Sequence, residues 1–348
     1  MTTTPAPTGP TVRSIARTLA LPGPEAARAG MAGHGRIDVH HHPMYEFWRA
    51  EIAAHSPGLG IPEPTWDPSD ALALMDATGV QAAVLSMAAP GVHFGDDAAA
   101  RDLARRVNEA HAEVVRTHPD RFGFFATLPV PDVDGSLEEY RYAREELGAD
   151  GVLLLSNTNG TYLGDPALDP LMDELGATGA VVLVHPAQLP GPVAPGVPPF
   201  LADFLLDTVR AALSMTLHDV PARYPGLSVI LSHGGGFLPY IPARLDHTMN
   251  VMGVDADRRE QLRSFWFDTA LTPSDYSMPS LLALADPGRI VYGSDFPYVT
   301  PEKIAGFAER LDAYPLDAEL REAIDHGNAE QVLPGLAARI HRSEESGA

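Results

Sequence analysis

The chain has 348 residues, enough for one large α/β barrel or two ordinary domains. Its composition, 45% apolar, 20% charged and 7% aromatic, is that of a globular chain and excludes collagen-like, fibrous or wholly disordered readings. A formal charge of -22 repels phosphate backbones and anionic lipid, and the absence of cysteine excludes disulfides, thiolate nucleophiles and Cys-ligated metals.

Lysine occurs once, at Lys303, so Schiff-base and pyridoxal chemistry and a metal pair bridged by a carbamylated lysine are excluded as well. Residues 1–33 are rich in Thr, Pro, Ala and Gly, and Arg13 and Arg17 interrupt the apolar letters. They read as a flexible tail and not as a signal peptide. No window approaches the roughly 18 consecutive apolar residues of a membrane span, and the expected compartment is the cytoplasm.

From Arg36 onward, apolar runs at 37–41, 80–87, 122–128, 151–155, 180–185, 227–232, 265–269 and 289–293 alternate with amphipathic stretches at 96–118, 135–147, 169–178, 204–220 and 274–285. Asp67-Pro68-Ser69 and Asp96-Asp97 are helix-start signals. Eight such units predict a single (β/α)8 TIM barrel domain over 34–348. Asp38, His40 and His42 close the first run, Ser156 and Asn157 the fourth, and His185 the fifth. Ser232 and His233 close the sixth, Asp268 and Thr269 the seventh, and Ser294 and Asp295 the eighth. Polar residues thus gather at the strand ends where barrel enzymes carry their sites. Insertions at 43–66 and 186–200 fall on that side, and 301–342 is expected to be helical and to pack outside the barrel.

Within Asp38-Val39-His40-His41-His42, alternation places His40 and His42 on one face, where two imidazoles can meet one ion. A structural histidine cluster is the competing reading. His185 offers a third imidazole and Asp295 a carboxylate able to ligate and to exchange a proton. His233 heads Ser-His-Gly-Gly-Gly, whose glycines permit a close turn. It can serve as acid or base, with a fifth ligand or a packing role as alternatives.

The ordered set I-D-V-H-H-H, V-H-P, S-H-G-G-G and G-S-D-F-P resembles the amidohydrolase-2 family, the branch with aminocarboxymuconate-semialdehyde decarboxylase and the salicylate-type decarboxylases, over residues 35–342. The resemblance implies one divalent metal, zinc before manganese, on residues matching His40, His42, His185 and Asp295, with a catalytic histidine matching His233. It also implies a homodimer in which Arg244, eleven residues after His233, reaches the neighbouring site. Some family decarboxylases carry E-x-H in the first strand; here both histidines of H-x-H are present. The muconate-semialdehyde members hold a substrate carboxylate with an arginine before the second strand, but no Arg or Lys lies between Arg49 and Arg101. The muconate substrate is therefore disfavoured.

Tyr45, Trp48, Trp66, His93, Phe94, Trp266 and Phe296 are candidate walls for a flat aromatic substrate, with core packing as the alternative, and Asn157 is a further candidate substrate contact. The expected reaction is non-oxidative decarboxylation of a small hydroxylated aromatic or unsaturated acid, with Asp295 or His233 as proton donor. Metal-dependent hydrolysis of a lactone or amide, or hydration of a double bond, is the alternative on the same residues.

Overall fold

The computed structural model describes residues 35–55 and 64–347; the tail expected over 1–33 lies outside them. Eight parallel strands pair in chain order: β1 Arg36–His41, β2 Val80–Leu85, β3 Phe122–Thr127, β4 Gly151–Leu155, β5 Val181–His185, β6 Ser228–Leu231, β7 Trp266–Asp268 and β8 Ile290–Val291. The ring closes where Val39 N donates to Tyr292 O at 3.0 Å and Asp295 N to His40 O at 2.9 Å. This is the predicted (β/α)8 barrel, with every expected strand in place.

Alternation sorts the apolar side chains into two layers. Ile37, Val39, Ala82, Val84, Phe125, Leu153, Leu183, Ile230, Trp266 and Val291 form the inner cluster. Leu85, Phe122, Phe124, Leu154, Val184, Leu231 and Phe267 face the helices. Strict alternation from Ile37 and Val39 would send His41 inward. A register irregularity between Asp38 and His41 changes the parity, and His40 and His42 turn into the barrel instead. His41 faces outward against Phe122 and Phe296.

α1 Glu46–His55 lies within the insertion after β1 and α2 Pro68–Thr78 follows its start signal, while α3 Asp97–Thr117, α4 Val133–Glu145, α5 Asp169–Thr178 and α6 Asp203–Leu217 follow the periodicity read from the sequence. Asp67 and Asp96 cap α2 and α3 by accepting backbone N–H bonds, as their start signals predict. α7 Pro242–Val251 and α8 Ser277–Leu284 follow β6 and β7.

The C-terminal segment departs from expectation in part. α9 Pro301–Ala313 packs on the outer layer through Ile304 and Leu311, whereas Ala329, Val332, Leu333, Leu336 and Ile340 join the inner cluster. Arg339 anchors this segment on Asp150 and on Pro119 O, beside the N-terminal ends of β3 and β4. The last helices therefore close the barrel at the end opposite the polar rim, where the inner apolar side chains would otherwise meet water.

Candidate metal and active site

β1, β5 and the turn after β8 bring His40, His42, His185 and Asp295 together, all buried, with one potential ligand atom from each within 4.8 Å of the others. Each imidazole is oriented through Nδ1. His42 Nδ1 donates to Ser86 O at 2.9 Å and His185 Nδ1 to Pro186 O at 2.8 Å, while His40 Nδ1 lies 2.6 Å from Asp268 Oδ2. The Nε2 atoms are thereby turned toward a common point. His40 Nε2, His42 Nε2 and Asp295 Oδ1 are buried without a hydrogen-bond partner, a costly state for a cluster of polar atoms and the one expected of metal ligands. Three imidazoles and one carboxylate suit a divalent ion.

The electrostatics favour the ligating states of His42, His185 and Asp295. Burial holds His42 below its usual pKa, and burial with the neighbouring His42 and His40 holds His185 well below, so both stay neutral. Burial opposes an imidazolium at His40, but the Asp268 carboxylate outweighs it and the pKa is pushed up to about 9. Burial likewise opposes ionisation of Asp295, but its contacts with His233 and His42 keep the carboxyl well below the usual range.

His233 sits beside the cluster, its Nε2 3.3 Å from Asp295 Oδ2 and its ring 5.0 Å from that of His40. Its backbone N donates to Asp268 Oδ1 at 2.7 Å, so one carboxylate fixes both His40 and His233. His233 at φ 55° and Asp295 at φ 62° occupy the left-handed region, a conformation retained in ordered sites at an energetic cost. Gly236, at φ 65°, passes so near Leu205 O that an added Cβ would lie 2.4 Å from it, which accounts for a glycine in the turn after His233.

His185, His233 and Asp295 form one end of a cavity of about 610 Å³, walled by Phe204, Phe237, Leu281, Tyr298 and Val299. The other sequence candidates lie elsewhere. Trp48 is buried with Met44 and Ile52, its Nε1 donating to Gly91 O at 2.8 Å. Asn157 is tied to Asp207 Oδ1 at 2.9 Å and Gln188 O at 3.2 Å. Phe296 packs on His41, 5.1 Å between ring centroids, and His93 Nε2 pairs with Asp97 at 2.8 Å. Trp266 lies in the inner cluster, and Arg244 is exposed on α7. None of these lines the cavity. Asp268 was read at a strand end without a role, and the cavity walls were not singled out, since their apolar residues follow β5, β6, β7 and β8 without any motif.

The sequence model of the family described as amidohydrolase matches residues 37–335. The chain is 35% identical over 323 residues to the decarboxylase yanB of Aspergillus niger, covering 86% of this chain and 87% of that protein. It is 32% identical over 324 residues to a 6-methylsalicylic acid decarboxylase of Penicillium expansum, covering 89% and 99%. A crystal structure of an amidohydrolase II, 30% identical, superimposes with a TM-score of 0.81 over 86% of this chain and 99% of its own. Matched by the family model over residues 37–335 and by relatives more than 30% identical over most of both chains, this chain belongs to the amidohydrolase family.

Proposed function

We propose that this protein is a metal-dependent carboxy-lyase that removes carbon dioxide, without oxidation, from a small hydroxylated aromatic acid. The observation that carries the reading is the His233–Asp295 pair, which stands between the cluster of buried ligand atoms and an apolar cavity. The 6-methylsalicylic acid decarboxylase among its relatives supports the substrate class.

His40, His42, His185 and Asp295 hold the ion, and three nitrogens with one oxygen favour zinc, with manganese as the alternative. When bound, the ion supplies a Lewis acid for the substrate carboxylate and its neighbouring hydroxyl oxygen. His233, paired with Asp295 Oδ2, holds the proton to be delivered to the ring carbon bearing the carboxylate. The carbon–carbon bond then breaks, its electron pair restores the aromatic ring, and carbon dioxide leaves; one proton is consumed for each carboxylate lost. The apolar walls keep water from the reacting carbon.

Among the described residues no helix is long and apolar enough to cross a membrane. A chain without cysteine suits a reducing cytoplasm, where we place the enzyme. It acts as a homodimer, with Arg244 directed to the neighbouring subunit's site; the exposure of Arg244 on α7 supports this.

Turnover of 6-methylsalicylate in deuterium oxide tests the reaction. One deuterium on the carbon that held the carboxylate and equimolar carbon dioxide are expected. Oxygen from labelled water in the organic product, without carbon dioxide, would make the protein a hydrolase or hydratase instead.

A further inference from the structure

The cavity is much larger than a hydroxybenzoate requires. An apolar cavity of roughly 150 Å³ holds a benzene ring, whereas this one, about 610 Å³, runs from His185, His233 and Asp295 out to Tyr240 and Tyr276 at its rim. Among the described residues no Arg or Lys lines it, and Asp295 is the one acidic residue of its lining. Two of its hydroxyls are already committed, Thr272 Oγ1 donating to Ala270 O at 3.0 Å and Ser277 Oγ to Thr272 O. A second charged group on the substrate would be stripped of water there without a partner, while an apolar group would gain by leaving water.

Leu271 adds an independent sign. It lines the cavity at φ 56°, in a region that bulky side chains avoid, and its side chain remains 40% exposed. Backbone strain of this kind persists where a side chain has to be presented in one direction.

We propose that the substrate is a hydroxybenzoate carrying an alkyl chain of several carbons on the side of the ring away from the carboxylate, and that this chain fills the outer cavity against Phe204, Phe237, Leu271 and Leu281. The proposal rests on the reading above, in which the acid edge of the ring lies at His185, His233 and Asp295. It selects for one acidic group and an apolar tail, and against dicarboxylates.

Calorimetric binding of 4-methyl-, 4-propyl- and 4-pentylsalicylate, in which the chain stands opposite the carboxylate, to the zinc-loaded protein, run beside carbon dioxide release, tests the two readings separately. Affinity should rise about fourfold per added methylene, the equivalent of ~0.8 kcal/mol for each buried CH2. Leu271→Asn, which suits the left-handed backbone but removes the apolar contact, should lower the pentyl-to-methyl affinity ratio roughly three- to tenfold. Equal or weaker binding of the pentyl acid overturns the inference, whether or not carbon dioxide is released. Chain-length-dependent binding without carbon dioxide release upholds the apolar cavity and overturns the decarboxylase reading.

Discussion

Asp268 joins two functions through one side chain, Oδ2 orienting His40 and Oδ1 accepting from the backbone of His233. Asp268→Asn keeps the shape and removes the charge, so metal affinity should fall about 10- to 100-fold, the usual cost of losing a carboxylate behind a ligating histidine. Chelator competition measures it, and unchanged affinity would mean that His40 needs no such support. His40→Ala should abolish both metal content and turnover, while elemental analysis of the parent protein should give one divalent ion per chain. The convergence of His40, His42, His185 and Asp295 was legible in the sequence because polar side chains at strand ends form a recognisable pattern. Asp268 was not, since a lone strand-end acid carries no spacing that separates a support from a solvated loop residue. The aromatic candidates could not be sorted either, because residue type reveals size and polarity but not which side of an element a ring faces, and Trp48 and Phe296 are packed in core.

At the scale of elements, α3 turns its buried face, with Val107, Asn108, His111 and Val114, onto the barrel. Asn108 is satisfied there, donating to Thr127 O at 2.9 Å and accepting from Thr127 N at 2.8 Å. His111 is not: both ring nitrogens are buried without a hydrogen-bond partner, between the rings of Tyr45 and Phe124. Burial, reinforced by the nearby His42, lowers its pKa from 6.5 to about 3. The unfolded chain therefore takes up this proton first as pH falls, and the stability present above about pH 6.5 is lost toward pH 3, by up to ~1.4 kcal/mol per pH unit. His111→Phe should remove that contribution, so its stability advantage over the parent protein should widen as pH drops from 6 to 4 in urea titrations. Parallel curves would mean that His111 ionises normally in the fold. Helix and strand positions were readable because the 3.6 and 2.0 periods survive in the sequence. The register change after Asp38 was not, because pairing with β2 and the turn after β8 sets it, and neither is local.

The whole molecule is sealed at one end and open at the other. Its C-terminal helices cover the inner cluster below, a placement that local periodicity could not distinguish from packing on the outside. Above, Tyr240 and Tyr276 stand 81% and 91% exposed at the cavity rim, and Val251 and Met252 are exposed at the end of α7, the helix that also presents Arg244. Exposed apolar residues around a site are the kind of surface that a second copy covers. In such a dimer Arg244 of the neighbouring subunit would pair with the substrate's one carboxylate and leave the outer cavity apolar. Light scattering should then report a dimer, and Arg244→Ala should lower kcat/KM about 10- to 100-fold, as expected for losing a hydrogen bond to a charged group. Mixing the two impaired variants gives the sharper result. Arg244→Ala keeps its metal ligands, while His40→Ala keeps its arginine, so a mixed dimer holds one complete site. Half the dimers in an equal mixture are mixed and each has one of two sites intact, so activity should recover to about a quarter of the parent value after subunit exchange. A monomer in solution, or an exchanged mixture no more active than its components, would rule out the shared site.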